Sequence, residues 1–125
     1  LKIEVHKLIN TIETSIDLEK VKQELIDRFG KVDEDLINYM NEELFEKLIK
    51  QKSVLKVIDN KNYIELVFTK EKSSLIDYQE FFIKSIEICN KFSFEYKDEL
   101  FTIKLPKLKL EKHPVIYLNK LLEKM

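Results

Sequence analysis

The sequence predicts an α+β fold: three N-terminal helices, then two antiparallel hairpins with an intervening helix, and a C-terminal helix. Apolar residues in the first fifty positions recur at three- and four-residue spacing, as in helices that bury one stripe. From Val54, and again from Phe92, the period drops to two within β-branched and aromatic runs, as in strands with one covered face. The length of 125 residues, with 36% charged and 44% hydrophobic, suits a single domain with one core. The order ααα, ββ, α, ββ, α places an antiparallel sheet under helices on one face.

Each element has its own signal. Val5, Leu8, Ile9 and Ile12 share a stripe, predicting a first helix over about residues 2–13. Thr14 and Asp17 have the spacing of a capping box, in which a hydroxyl and a carboxylate answer free amides at a helix start. The second helix runs to Phe29 with Leu18, Val21, Leu25 and Phe29 inward, and Gly30, the sole glycine, closes it at a position where a Cβ would be penalised. Asp33 caps a third helix to about Lys50, carrying Leu36, Ile37, Met40, Leu44, Leu48 and Ile49 inward. Residues 54–58 and 63–68 form a hairpin around Asp59, Asn60, Lys61 and Asn62. Ser73 or Ser74 caps a fourth helix whose inward stripe is Tyr78, Phe82, Ile86 and Cys89. Residues 92–96 and 100–105 form the second hairpin, with Phe92, Phe94 and Tyr96 on one face under that helix, and Pro106 ends it. Pro114 suits the first position of a last helix, with His113 as its cap and Val115, Leu118, Leu121 and Leu122 inward.

Composition excludes several classes of function. One cysteine and two histidines cannot build a four-ligand zinc site of the usual nitrogen and sulfur kind, and Cys89 has no partner for an internal disulfide. One glycine cannot make a Gly-rich phosphate loop. No apolar run approaches the roughly 20 residues of a membrane span, and a net charge of −1 gives no global field for gripping a phosphate backbone. The expectation is a cytosolic, metal-free chain without direct contact to nucleic acid or membrane. Its start on Leu1, straight into a helical pattern, suggests a domain excised from a longer polypeptide. The absence of Ala and the 21 Lys to one Arg point to an AT-rich coding genome rather than to chemistry.

Charge is uneven along the chain. Residues 13–46 hold eleven acidic and four basic side chains, net −7, and residues 104–125 hold six basic and two acidic, net +4. An acidic helical face suits a basic protein partner. Glu24 and Asp27 lie at i and i+3, hence on one side of the second helix. Lys20 and Arg28, each four residues from Glu24, explain that carboxylate as an ordinary helix pair. Asp27 stands in the last turn, where the helix terminus disfavours a carboxylate by about 0.3–1 kcal/mol, a cost that invites a functional reading. Arg28, the only arginine, is either a partner within the helix or a fork aimed at an outside carboxylate.

Other chemistries find less support. Cys89 with His6 or His113 can be written as nucleophile and base, but no motif accompanies them. Asp33, Glu34 and Asp35 stand at a helix start, where carboxylates are favoured without any catalytic role. Phe92, Phe94, Tyr96 and Phe101 resemble a stacking platform for single strands, yet their alternation assigns them to the core. The alternative function is a nucleic-acid-binding module that uses the basic C-terminal segment, Lys104, Lys107, Lys109 and Lys112, as one stripe.

The segment Lys2-Ile3-Glu4-Val5-His6-Lys7-Leu8-Ile9, a capped turn, then Glu24-Leu25-Ile26-Asp27-Arg28-Phe29-Gly30 and a helix leading into a hairpin, resembles the C-terminal domain of bacterial transcription-repair coupling factor (Mfd) over about residues 2–68. Members of that family commonly carry prolines just after the glycine, where this chain has Lys31, Val32 and Asp33. The resemblance implies a non-catalytic regulatory domain. Its parent would be an ATP-dependent DNA translocase that displaces stalled RNA polymerase and recruits the excision-repair protein UvrA in the bacterial cytoplasm. It implies that the domain binds no cofactor itself, ATP belonging to the parent. It further implies packing on the UvrB-like N-terminal module of the same protein, masking the surface that UvrA binds, with Glu24 and Asp27 matching the acidic positions of that contact.

Overall fold

The computed structural model describes residues 2–125. Helix α1 (Lys2–Asn10) buries Ile9 and stops three residues short of the expected end at Glu13. The reason lies in its last carbonyls. Thr11 donates its hydroxyl to Leu8 O at 2.6 Å, and Lys47 Nζ donates to Asn10 O and Ile12 O at 2.8 and 2.6 Å, so acceptors that a continuing helix would use are already bonded. Helix α2 (Ser15–Phe29) starts with the expected box: Thr14 Oγ1 accepts from Asp17 N at 3.1 Å, and Asp17 Oδ2 accepts from Glu13 N at 3.0 Å. Leu18, Val21 and Leu25 are buried, but Phe29, expected inward, is 44% exposed. Phe29 is the last residue of the helix, and Gly30 (φ 87°) ends it immediately afterwards.

Helix α3 (Glu34–Gln51) is capped by Asp33, whose Oδ1 accepts from Leu36 N at 2.8 Å. It buries Met40, Leu44 and Leu48, and also Asn41 and Phe45, which the spacing had not placed inward. Strands β1 (Val54–Asp59) and β2 (Tyr63–Phe68) are joined by a turn in which Asn60 Oδ1 accepts from Asn62 N and Tyr63 N at 2.9 and 3.0 Å. Strands β3 (Ser93–Lys97) and β4 (Leu100–Pro106) complete one antiparallel sheet in the order β1-β2-β4-β3. The two hairpins meet along β2 and β4, with Ile64 opposite Leu105 and Leu66 opposite Ile103. Those four side chains are buried under the helices, whereas Lys104 on the other face is exposed.

The region between the hairpins departs from expectation. Two helices replace one: α4 (Lys70–Leu75), capped by Thr69, and α5 (Tyr78–Ile88), capped by Asp77. Ser73 is not a cap but lies inside α4, fully buried, where its hydroxyl donates to Thr69 O at 2.7 Å and accepts from Phe101 N at 2.8 Å. That bond ties α4 to β4. On α5 the buried residues are Phe81 and Ser85; of the expected stripe, Phe82 and Ile86 face outward, and Tyr78 stays at the margin, its ring 5.1 Å from Phe101. Three consecutive apolar residues, Phe81, Phe82 and Ile83, leave the helical phase open, and the sheet decides it: the Phe81 ring sits 5.6 Å from Phe94 and 5.8 Å from Phe101. Cys89 is half-buried at the helix end rather than in the core. Phe92, Phe94 and Tyr96 do share one face, but burial fades along it from Phe92 to the exposed Tyr96.

Helix α6 (Pro114–Leu122) is capped by His113, whose Nδ1 accepts from Val115 N at 3.2 Å, and it buries Val115, Leu118, Leu121 and Leu122 as expected. Its Asn119 Nδ2 donates to Asn41 O at 2.9 Å across the α3 interface.

Replacing Ser73 by Ala leaves the Phe101 amide buried without an acceptor, and such a loss costs about 1–3 kcal/mol. Urea denaturation is expected to show that loss with an unchanged slope, whereas the neighbouring exposed Ser74→Ala should fall within about 0.5 kcal/mol of the parent sequence.

Candidate functional site

The second helix presents its acidic pair away from the core stripe of Leu18, Val21 and Leu25. Glu24 Oε1 pairs with Arg28 Nη2 at 2.8 Å, so Arg28 acts as a partner within the helix. Both groups are well solvated, and a pair of this kind contributes little to stability. Asp27 is exposed, and its Oδ1 accepts from Gln23 Nε2 at 3.1 Å. Among the described residues no cation lies within ion-pair distance of Asp27, Lys31 included. A carboxylate in the last turn of a helix, held by a neutral amide, is available to a cation from outside.

Several other members of the acidic stretch are already engaged. Glu13 pairs with Lys47 at 3.1 Å, Asp17 and Asp33 answer backbone amides at helix starts, and Glu42 meets His113 Nε2 at 2.9 Å. Glu43, by its interaction with the Tyr39 hydroxyl, holds that phenol above its usual pKa, and desolvation adds to the effect. The acidic character of residues 13–46 is thus partly structural, and Asp27, in the last turn of α2, is one of the carboxylates with no cation at ion-pair distance among the described residues.

The competing sites separate in space or find structural roles. Lys104 lies over the Tyr63 ring at 4.1 Å, and Lys107 pairs with Asp59 at 2.6 Å, so two of the four lysines of the basic segment are committed within the domain. Cys89 Sγ accepts from Lys91 N at 3.4 Å, His113 serves as cap and Glu42 partner, and exposed His6 sits edge-on to Tyr39 at 6.2 Å. The three have different partners and form no nucleophile and base pair. Asp33 is a helix cap, as expected. The Phe94 ring stacks on Phe92 and Phe101 at 6.3 and 5.6 Å, so Phe92 and Phe101 are core residues with the half-buried Phe94 packed on them, and only Tyr96 of the four is exposed. Among the described residues, no group of three or more His, Cys, Asp or Glu is placed to hold a metal ion, and no helix is long and apolar enough to cross a membrane. Periodicity missed one feature, the outward apolar face of α5, because it assigned those same residues to the core.

A family model described as the TRCF domain matches residues 1–79, a span that contains α2 and α3 and with them Glu24 and Asp27. The chain belongs to the TRCF domain family. Among solved structures it is similar to one described as the crystal structure of the C-terminal domain of transcription-repair coupling factor, at 28% identity and a TM-score of 0.67, over 97% of this chain and 74% of that one. No curated protein matches the chain. The family match ends at the start of α5, whereas the structural likeness extends across nearly the whole α+β fold, so the second hairpin and α6 belong to the TRCF-type architecture too.

In this TRCF domain Asp27→Lys exchanges an unfavourable charge in the last turn of α2 for a favourable one. Thermal unfolding at low salt is expected to show stability unchanged or raised by up to about 1 kcal/mol. A loss larger than that would make Asp27 a structural residue.

Proposed function

We propose that this TRCF domain, residues 1–125, is the C-terminal regulatory domain of a larger transcription-repair coupling factor and works as a non-catalytic autoinhibitory clamp. In this reading the parent is an ATP-dependent DNA translocase of transcription-coupled nucleotide excision repair in the bacterial cytoplasm, and ATP binds elsewhere in that protein. The domain packs on the UvrB-like module of the same polypeptide and masks the surface that UvrA would bind. Engagement of RNA polymerase by the parent releases it. The observation that carries the reading is the exposed Asp27, with Glu24 beside it and no cation of its own, on a helix within the matched TRCF segment.

The chemistry required of the domain is recognition. Two carboxylates on one helical face meet basic side chains of the UvrB-like module, and such charge pairs set orientation and rate of association more than affinity. The closed state holds until a partner with higher affinity for the open state shifts the population. The basic-segment alternative is weaker, since Lys104 and Lys107 already have partners within the domain.

Calorimetric titration of the domain against the separately produced UvrB-like module should give salt-sensitive binding, weakened at least tenfold by the double variant Glu24→Arg, Asp27→Arg with little change in melting temperature. In the intact parent the same variant should increase UvrA binding. Binding that ignores both substitutions, or a parent whose UvrA affinity does not respond to deletion of the domain, would refute the clamp.

A further inference from the structure

Helix α5 and strand β3 leave an apolar face open: Phe82 is 52%, Ile83 61% and Ile86 52% exposed. Beside them a cleft of about 300 Å³ opens between α5 and the sheet, lined by Tyr78, Phe82 and Phe94 among others. Exposed apolar patches of this kind mark contact surfaces when they are contiguous. Here the helical spacing of Phe82 and Ile86 and the Phe82–Phe94 ring distance of 6.3 Å make the patch continuous from helix to strand.

The strand beneath it is a free edge. Among the described residues β3 pairs with β4 alone. Asp98 and Glu99 both have positive φ, 55° and 66°, which fits a two-residue hairpin turn closed by the hydrogen-bonded pair Lys97 and Leu100. Alternation along an antiparallel ladder then directs the N–H and C=O groups of Ser93, Glu95 and Lys97 to β4, and those of Phe94 and Tyr96 away from it. The Thr102 hydroxyl donates to Glu95 O at 3.2 Å from the β4 side, as this phase requires. Phe94 and Tyr96 point their side chains to the α5 layer, where their rings meet Phe81 and Tyr78, so Glu95 and Lys97 belong to the opposite, open face of the sheet.

We propose that the β3 edge and the α5 cleft form a docking site for an extended strand of a protein partner, apolar on the side that enters the cleft and carrying a cation opposite Glu95 and an anion opposite Lys97. Unpaired main-chain groups beside an apolar cleft are completed by a strand, the mode of recognition known as β-augmentation. The charges on β3 lie on the face away from the cleft, so they select among incoming strands without obstructing the apolar contact. A second copy of this chain fits poorly. The antiparallel register that pairs all of β3 with itself sets Ser93 opposite Lys97, Phe94 opposite Tyr96 and Glu95 opposite Glu95, and like charges directly opposed destabilise a pair of strands.

The test is an NMR titration of the 125-residue chain with the synthetic peptide Thr-Val-Glu-Val-Lys-Val-Thr, which in antiparallel pairing can set Lys against Glu95 and Glu against Lys97. Binding should shift the Phe94 and Tyr96 amides and slow their exchange with solvent. Tyr96→Pro removes an outward N–H and no bond to β4, so it should weaken binding at least tenfold with the hairpin retained. Phe82→Lys should do the same through the cleft. Should the proline variant not fold, Glu95→Lys decides: it should weaken this peptide and favour the peptide with Glu and Lys exchanged. The proposal is overturned by absence of shifts at millimolar peptide, by binding indifferent to all folded variants, or by self-association of the chain through these same amides.

Discussion

The arrangement depends on how α6 is held against α3. This last helix buries Val115, Leu118, Leu121 and Leu122 completely or nearly so, and its contact with α3 contains two amide side chains, Asn41 and Asn119. Asn119 donates to Asn41 O, and Asn41 donates in turn to Ile37 O at 3.0 Å, so the pair fixes the position of α6 along α3 to within a hydrogen bond. An apolar interface would tolerate sliding, but buried amides lose their bonds when displaced, which is costly in an environment without water. The ends of α6 add two further ties. His113 meets Glu42 on α3, and the Glu123 carboxylate accepts from the backbone amide and hydroxyl of Ser15 at the start of α2. The final element of the chain thereby ties α2 and α3 into one frame, and that frame carries the acidic side of α2 outward.

The helices before the sheet were legible because their signals agree. Thr14 and Asp33 cap where the periodic apolar residues begin, Gly30 stops α2, and the loss of helical period at Val54 coincides with β-branched residues. Legibility failed where local pattern was ambiguous and distant packing decided. The triple Phe81, Phe82, Ile83 permits two helical phases, and only the aromatic cluster on β3 and β4 selects Phe81. Ser73 looks like a cap in sequence because its second role, accepting the Phe101 amide, involves a residue 28 positions away. The burial of Asn41 and Asn119 has no local signal for the same reason, since the bond from Asn119 Nδ2 to Asn41 O joins residues 78 positions apart.

The acidic pair was readable for a different cause. A carboxylate in the last turn of a helix conflicts with local electrostatics, and a conflict with local rules is visible without any tertiary information. The structure adds that Glu24 is matched by Arg28 while Asp27 receives only an amide, a distinction the spacing alone left open. The edge of β3 lay beyond such reasoning. Its exposure follows from the strand order β1-β2-β4-β3, and pairing two hairpins through β2 and β4 rather than through other strands is a choice of long-range packing that no local signal encodes.

The modest strength of an exposed charge contact is an advantage for the proposed clamp. Solvated ion pairs contribute little individually, so a domain held by Glu24 and Asp27 would bind its target weakly as a separate molecule. Within one polypeptide the target is present at an effective concentration of order 1 mM, and a contact with a dissociation constant of about 100 μM would then keep the clamp closed about nine-tenths of the time. A competing partner need supply only a small differential free energy to open it. An interface of buried apolar residues, such as the one that holds α6 to α3, would be far harder to release. The division between a rigid frame fixed by buried amides and a solvated acidic face is therefore what a reversible clamp requires: the first keeps the face in place, and the second lets it go.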